Sequence, residues 1–491
     1  MTLSLLSLPW DLLRSILPHL TLTDLHALLL TNTTLHELVQ REGWRSLCRT
    51  QGWDPEQVLV DTRHSTPPSP SPFSDGNDIN TTDWARVARM AHNVQCRWTK
   101  RQFTIASIQR HFFMPTVRFN RRVLAFTVGH KLDIYHDWSV TGKRFHAQHH
   151  VEFDAHDGDV TDVLLTQGDM GHQSIWTCSI DSLIKRWDIP TPGSAPTQPT
   201  QTLQGHLSAV HSIHAHSANP TTLASLGNDE TLRLWDTATA TAQYTLPLSR
   251  RLWVARFTTA TQLAIGARGV SALSLYAVLP TGPEHVVDLP VGAFAVYGLH
   301  PHAVTDHTLA AGCYDGIVRL FDLRTHRVVS TFQDPYDDSP VYDVTADHFH
   351  VAAGTANHGI VRVWDARYAP TVGMGAMKRG DVHDGWSVYL GEVRSPVYSV
   401  QMDFGRLVGA TSSETSVLDF TAAAGIEPAK ARFRGRGDQA ELERSRISVH
   451  VRNQRQHHPV NRGRSTRQQL SRLSGKRIFY SHSDFSTYIG E

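Results

Sequence analysis

Leucine dominates the opening of this chain, at a spacing that suits helices. Leu8, Leu12, Leu13, Ile16, Leu17 and Leu20 fall at i, i+4, i+5, i+8, i+9 and i+12, one broad apolar stripe. Pro9 stands where a helix start tolerates proline. Thr21, Leu22, Thr23 and Asp24 read as a break and cap before a second helix at 25–30. A third helical segment, 35–48, carries Leu38, Trp44 and Leu47. Residues 65–75 then supply a Ser/Pro-rich spacer containing PPSPSP, and helical spacing returns over 83–98 (DWARVARMAHNVQCRW), which predicts a helical stalk. From about residue 101 the pattern changes to short alternating strands separated by turns.

These strands repeat. The clearest copies are 179–188 (SIDSLIKRWD), 227–236 (GNDETLRLWD), 313–322 (CYDGIVRLFD) and 357–365 (NHGIVRVWD). Their aromatic positions, 187, 235, 321 and 364, are separated by 48, 86 and 43 residues, and 86 is twice 43. A degenerate unit therefore lies in the gap, filled by 272–276 (ALSLY); weaker units at 131–135 (KLDIY) and 415–420 (TSVLDF) flank the set. Seven endings result: Tyr135, Trp187, Trp235, Tyr276, Phe321, Trp364 and Leu418. A period of about 40–45 residues with Trp-Asp endings and a Gly205-His206 opening is the signature of WD40 repeats, four strands to a propeller blade. The expected fold is mainly β, a seven-bladed propeller behind a small all-α domain. The seventh unit lacks an obvious fourth strand, and the strand-like 101–108 (RQFTIASI) has no blade of its own, so it is expected to lock the ring.

Composition narrows the function classes. The chain has 491 residues, 40% hydrophobic and 19% charged, enough to bury a sizeable core. Lys plus Arg number 47 against 46 acidic residues, which argues against a chain-wide binder of nucleic acid or anionic membrane. Residues 425–491 differ, with fourteen Lys or Arg against six acids, and read as a disordered basic tail. Cys48, Cys96, Cys178 and Cys313 form no CxxC pair, which suits a reducing compartment. No stretch reaches the length of a membrane span, and Pro9, Asp11, Arg14, Pro18 and Asp24 interrupt the leader, so the expected location is cytosolic or nuclear. Thirty histidines include the adjacent pairs His149-His150 and His457-His458, without partners at ligand spacing, so no metal or cofactor is expected.

Residues 1–50 resemble an F-box at Leu8-Pro9, Asp11-Leu12-Leu13, Ile16-Leu17, Leu20, Asp24-Leu25, Leu38 and Trp44. Followed by WD40 units, the chain resembles an F-box/WD-repeat protein. It is most similar to the dactylin branch, through 314–325 (YDGIVRLFDLRT), 358–367 (HGIVRVWDAR), 395–400 (SPVYSV) and 416–420. The resemblance implies a substrate receptor of an SCF-type ubiquitin ligase, with no catalysis of its own. Its F-box would dock on Skp1, hence on cullin-1 and the RING subunit, through Leu8, Pro9, Leu12, Leu13, Ile16, Leu17, Leu20 and Leu25. The residues agree physically: a helix pair of about 50 residues is too small to build a core alone and needs a partner groove. The alternative is a helical cap packed on the chain's own propeller. The expected division is F-box 1–50, linker 51–82, stalk 83–100, propeller 101–424 and tail 425–491. A second function class, a WD40 scaffold in ribonucleoprotein assembly, would use the basic tail.

Within the repeats, His156, Thr177, Asp181 and Trp187, and again His206, Ser225, Asp229 and Trp235, stand at the positions of a blade hydrogen-bond tetrad. Recurrence inside the repeat makes His, Ser and Asp structural here and not a catalytic triad. Phe321 lacks an indole N–H and His358 takes the turn position usually held by Asp, so those blades are expected to lean on packing. Function belongs on the rim of the ring. The residue after the apolar opening of each innermost strand reads Arg118, Thr161, His211, Trp253, Tyr297, Tyr342 and Tyr398 around the ring, with Arg250 and Arg251 in an adjacent loop. Related receptors hold phosphorylated degrons with arginines on this ring. Here aromatics predominate, which points to an apolar or aromatic peptide, the alternative being aromatics that fill strand ends.

Overall fold

The computed structural model describes residues 10–31, 33–53, 55, 58, 83–110, 114–167, 173–189, 196, 198–334, 337–368, 385–390 and 395–421. Leu8, Pro9, the Ser/Pro-rich spacer and the basic tail lie outside them. The chain opens with α1 (Trp10–Ile16), a 3-10 turn (Leu17–His19) and α2 (Leu22–Leu29). Thr21 caps α2: its Oγ1 accepts the Asp24 amide at 3.2 Å, and Asp24 Oδ2 accepts the Thr21 amide at 2.9 Å. Then α3 (Thr33–Leu38), a π turn (Val39–Gly43) and α4 (Trp44–Thr50) run on without a break. After these comes α5 (Trp84–Lys100), capped by Asp83 and ended by Arg101 in the left-handed region.

The helices build a core of their own, which corrects the expectation of a helix pair waiting for a partner. Leu13, Leu17, Leu25, Leu35, Leu38, Trp44 and Leu47 are buried together with Trp53 and Val58 from the expected linker and Val87, Ala88 and Ala91 from α5. The first half of the expected stalk is thus the missing wall of the helical unit. Its second half belongs to the propeller, where Val94 and Trp98 join Trp386, Val397, Leu418 and Phe420. The Trp98 ring stacks on Phe420 at 3.5 Å and on His350 at 4.6 Å, and its Nε1 donates to the Phe404 carbonyl at 3.1 Å. Arg97 Nη1 donates to the Phe420 carbonyl at 3.1 Å. One helix therefore ties the two units together.

The propeller has seven sheets. All seven expected endings sit on third strands, opposite an aliphatic residue of the second strand: Leu124–Tyr135, Ile175–Trp187, Leu223–Trp235, Leu263–Tyr276, Leu309–Phe321, Val351–Trp364 and Leu407–Leu418. That cross-strand pair is the packing unit of each blade. Thr104–Arg110 is the outer strand of blade seven, antiparallel to Glu414–Asp419, so chain segments from both ends of the ring share one sheet and close it. A hairpin within blade one, Ser139–Thr141 and Arg144–His146, leaves its own sheet and pairs Arg144 beside Ser107, covering that closing strand. No sequence signal marked this hairpin.

Innermost strands present an open edge to the next blade, and unpaired backbone groups there would be costly. Side chains of the neighbouring innermost strand satisfy them. Asp162 accepts the Ile213 amide at 3.2 Å, His214 Nδ1 the Phe257 amide at 3.0 Å, Asp343 the Val400 amide at 2.9 Å and Thr345 the Met402 amide at 3.2 Å. At the closure, Gln401 bonds both the amide (2.7 Å) and the carbonyl (2.9 Å) of Phe119. Between blades five and six the backbones themselves approach: a Cβ on Gly298 would stand 2.9 Å from Asp343 Cα, so only glycine fits.

Candidate functional site

Each innermost strand from blade two to blade seven skips one residue in its register with the second strand, at the same place. The skipped residues are Thr161, His211, Trp253, Tyr297, Tyr342 and Tyr398. A bulge leaves its residue outside the ladder and re-aims the side chain. The rim series is therefore a ring of bulges, all half-buried. From His211 on, successive rings touch. His211–Trp253 centroids are 6.3 Å apart, Trp253–Tyr297 5.1 Å, Tyr297–Tyr342 5.6 Å and Tyr342–Tyr398 6.3 Å, an arc crossing five blades. Burial, with Tyr342 and Tyr314 alongside, pushes the Tyr297 hydroxyl up to about 12, so it stays a neutral donor.

Arg118 is not part of this ring. The innermost strand of blade one is only Val117–Phe119 and follows Pro115 with no bulge, so Arg118 falls one layer deeper, opposite Ala125. His214, Arg256 and His300 occupy the same layer, each opposite an alanine. There Arg118 Nη2 lies 3.1 Å and Arg256 Nη1 3.6 Å from the two oxygens of the buried Asp162 carboxylate. Burial and the nearby Arg256 push His300 down to about 4, and burial holds His214 well below its usual value, so both are neutral. Arg118 thus joins blades and is not offered to a ligand.

Arg250 is also turned inward, donating to the Ser271 carbonyl (2.7 Å), Ser274 Oγ (2.9 Å) and Tyr276 Oη (3.3 Å). It belongs to the frame of blade four. Arg251 does face the rim, its guanidinium 4.6 Å over the Trp253 ring. Two neighbours escaped sequence reasoning. Arg268 lies 4.8 Å over Phe294, and its amide donates to the Arg251 carbonyl at 2.9 Å. Phe294 is 54% exposed. They converge from a loop of blade four and the approach to blade five, which no local pattern reveals.

The tetrads are inside their blades. His156 meets Asp181 at 2.9 Å and Thr177 at 2.8 Å, and Trp187 Nε1 donates to Thr177 at 3.0 Å. His206 meets Asp229 at 3.0 Å and Ser225 at 2.7 Å, and Trp235 Nε1 donates to Ser225 at 2.8 Å. Burial pushes the Asp229 carboxyl upward, but the His206 and Leu207 donors outweigh it and hold the acid well below the usual range. Blades five and six, expected to lean on packing, also carry ion pairs. Arg319 forms a two-pronged pair with Asp315 (2.9 and 2.6 Å), and Arg362 lies 3.2 Å from Asp334. One group with ligand-like spacing, Asp133, His150 and Glu152, lies on blade one, where Asp133 already meets His150 at 2.9 Å and Glu152 meets Lys131 at 2.5 Å.

The helical unit lies at the other end of the propeller axis. It packs with Phe349 and Phe404, in turns where innermost strands of blades six and seven end, whereas the bulges mark where those strands begin. Of the expected docking leucines, Leu13, Leu17 and Leu25 face the unit's own core, and Ile16 and Leu20 are half-buried. Leu12 is 51% exposed, and Leu30, not singled out from the sequence, is 89% exposed.

The family model of the WD domain, G-beta repeat, matches residues 197–236, which end on the Trp235-Asp236 pair of blade three. The chain is similar to WD40 repeats over that blade, and to F-box/WD-repeat proteins. It is 32% identical over 136 residues to F-box/WD repeat-containing protein 4 of Mus musculus, covering 27% of this chain and 30% of that protein. The Homo sapiens protein of the same name is 31% identical over 136 residues, 27% of this chain and 29% of its own. Mitochondrial division protein 1 of Eremothecium gossypii is 28% identical over 171 residues, 34% of this chain and 20% of its own. The matched stretches thus span under a third of each relative. Among the described residues, no helix is long and apolar enough to cross a membrane.

Proposed function

We propose that this protein is a substrate-recognition adaptor of an SCF-type ubiquitin ligase, of the dactylin-like branch, working in the cytosol or nucleus. The helical unit docks on Skp1, and through it on cullin-1 and the RING subunit. The aromatic rim holds the degron of a protein to be ubiquitinated and degraded. The chain contributes no reacting group; its benefit is proximity, since a tethered substrate lysine meets the charged E2 at a high effective concentration.

The observation that carries this reading is the shared helix. Because α5 belongs to both cores, the helical unit and the rim are held at opposite ends of the ring in one fixed relation. Similarity to proteins named F-box/WD supports it, as does the apolar surface that the helical core leaves at Leu12 and Leu30. The clean test uses those two exposed positions, because a charge at buried Leu13 would unfold the unit. Leu12→Asp with Leu30→Asp is expected to melt like the wild type yet lose co-purifying Skp1 at least tenfold, as two buried leucines contribute about 3 kcal/mol or more. Equal Skp1 retention by the double variant would remove the adaptor reading.

A further inference from the structure

Positive charge on and beneath the rim is unevenly compensated. Arg118 and Arg256 share Asp162, Arg250 is engaged with Ser271, Ser274 and Tyr276, and Arg319 is paired with Asp315. Arg251 and Arg268 differ: neither has a carboxylate within ion-pair distance among the described residues. Their backbones are joined by the hydrogen bond from the Arg268 amide to the Arg251 carbonyl, and the charge of Arg268 is felt at Arg251. Burial and the neighbouring Arg268 both lower the Arg251 pKa, the mark of a cation short of a counterion. Each guanidinium also lies against an aromatic face, Arg251 on Trp253 and Arg268 on Phe294. A stacked guanidinium keeps its in-plane N–H groups free, and these suit the two oxygens of a planar carboxylate. Beside the pair stand the exposed Phe294 and the fully exposed Val270.

We infer that the arc from Trp253 to Tyr398, with Arg251 and Arg268 at its blade-four end, takes an extended peptide with an unmodified Asp or Glu next to a bulky apolar residue. The acid bridges the two guanidinium groups, and the apolar side chain covers Phe294 and Trp253. Ring centroids 5.1–6.3 Å apart match roughly two residues of extended chain per ring, at about 3.3 Å each. This inference deepens the rim half of the proposed function and rests on it.

The test is selection from a phage-displayed library of random twelve-residue peptides on the purified full-length protein, at low and physiological salt. The wild type is expected to enrich peptides with Asp or Glu adjacent to Phe, Trp, Tyr or Leu. A synthetic peptide of the enriched consensus is expected to bind Arg251→Glu with Arg268→Glu at least about tenfold more weakly. Arg268→Glu alone, at an exposed side chain, gives a smaller loss in the same direction and guards against misfolding of the double variant. Selection without acidic enrichment would overturn the inference, as would binding untouched by either variant. Tighter binding of the consensus with phosphoserine in place of its acid would assign the pair to phosphate instead and equally overturn it. Skp1 co-purification from the same preparations stays at wild-type level if only the rim is affected, so failure here and failure of the adaptor reading are distinguishable.

Discussion

Blades three and four solve one problem with different parts. Both must fasten a third strand carrying an aromatic residue, Trp235 or Tyr276, to the loop that enters the blade. Blade three does it with a relay of Asp229, His206, Ser225 and the Trp235 indole. Blade four has no such histidine and reaches in with Arg250, which meets Ser274 and Tyr276, while Asp288 accepts Ser274 Oγ at 2.5 Å and Ser271 Oγ at 2.6 Å. The propeller thus needs a satisfied polar bracket at this place but not a particular set of residues. It also explains why one blade is legible as a repeat and the other is not.

The strongest way to break the parallel is to remove the aromatic. Trp235→Ala is expected to cost about 3–5 kcal/mol in urea unfolding, since it leaves a large cavity and orphans Ser225. Tyr276→Phe, which removes only a long bond to Arg250, is expected to cost under about 1 kcal/mol. Equal losses would mean that blade four hangs on the Tyr276 hydroxyl and not on its ring. Next comes the charged member of each. Asp229→Ala strips partners from His206, Leu207 and Thr231 and is expected to cost about 2–3 kcal/mol. Arg250→Ala is expected to cost about 1–2 kcal/mol, as Asp288 keeps its serine partners.

The smallest effect is in acid. Burial raises the Asp288 pKa, but Ser271, Ser274 and His285 outweigh it and bring the acid to about 2. A carboxyl lowered in the folded state stabilises above its unfolded value of about 4, and that stability is lost as pH falls toward the folded value. Asp288→Asn is therefore expected to lower stability at neutral pH and to flatten its loss between about pH 4 and pH 2, so that variant and wild type converge in acid. His300 contributes earlier: it is neutral when folded down to about 4, whereas the unfolded chain takes up that proton near pH 6.5, so stability falls across that interval. Thermal melts across pH check both.

Legibility followed how local each signal was. The seven aromatic or apolar endings could be read because a cross-strand contact imposes one residue type at one interval. The rim series could be read from blade two onward because each bulge directly follows the apolar residue that opens its strand. Arg118 was misassigned for the same reason: blade one has no bulge, so counting from Val117 lands a layer too deep. Arg250 reads as a rim residue because nothing next to it in sequence shows that Ser274 and Tyr276 await it. The core of the helical unit was missed because Val87 and Ala91 come from beyond the spacer, and Arg268 and Phe294 because they meet across two blades.

The shared helix has one further consequence. Between Ala91 and Val94 the winding of α5 works like the thread of a screw. One extra residue there would turn one unit about 100° against the other and shift it by about 1.5 Å along the axis. Seventeen residues of backbone therefore set an orientation as well as a length, and the direction in which a captured cargo points is written in helical phase.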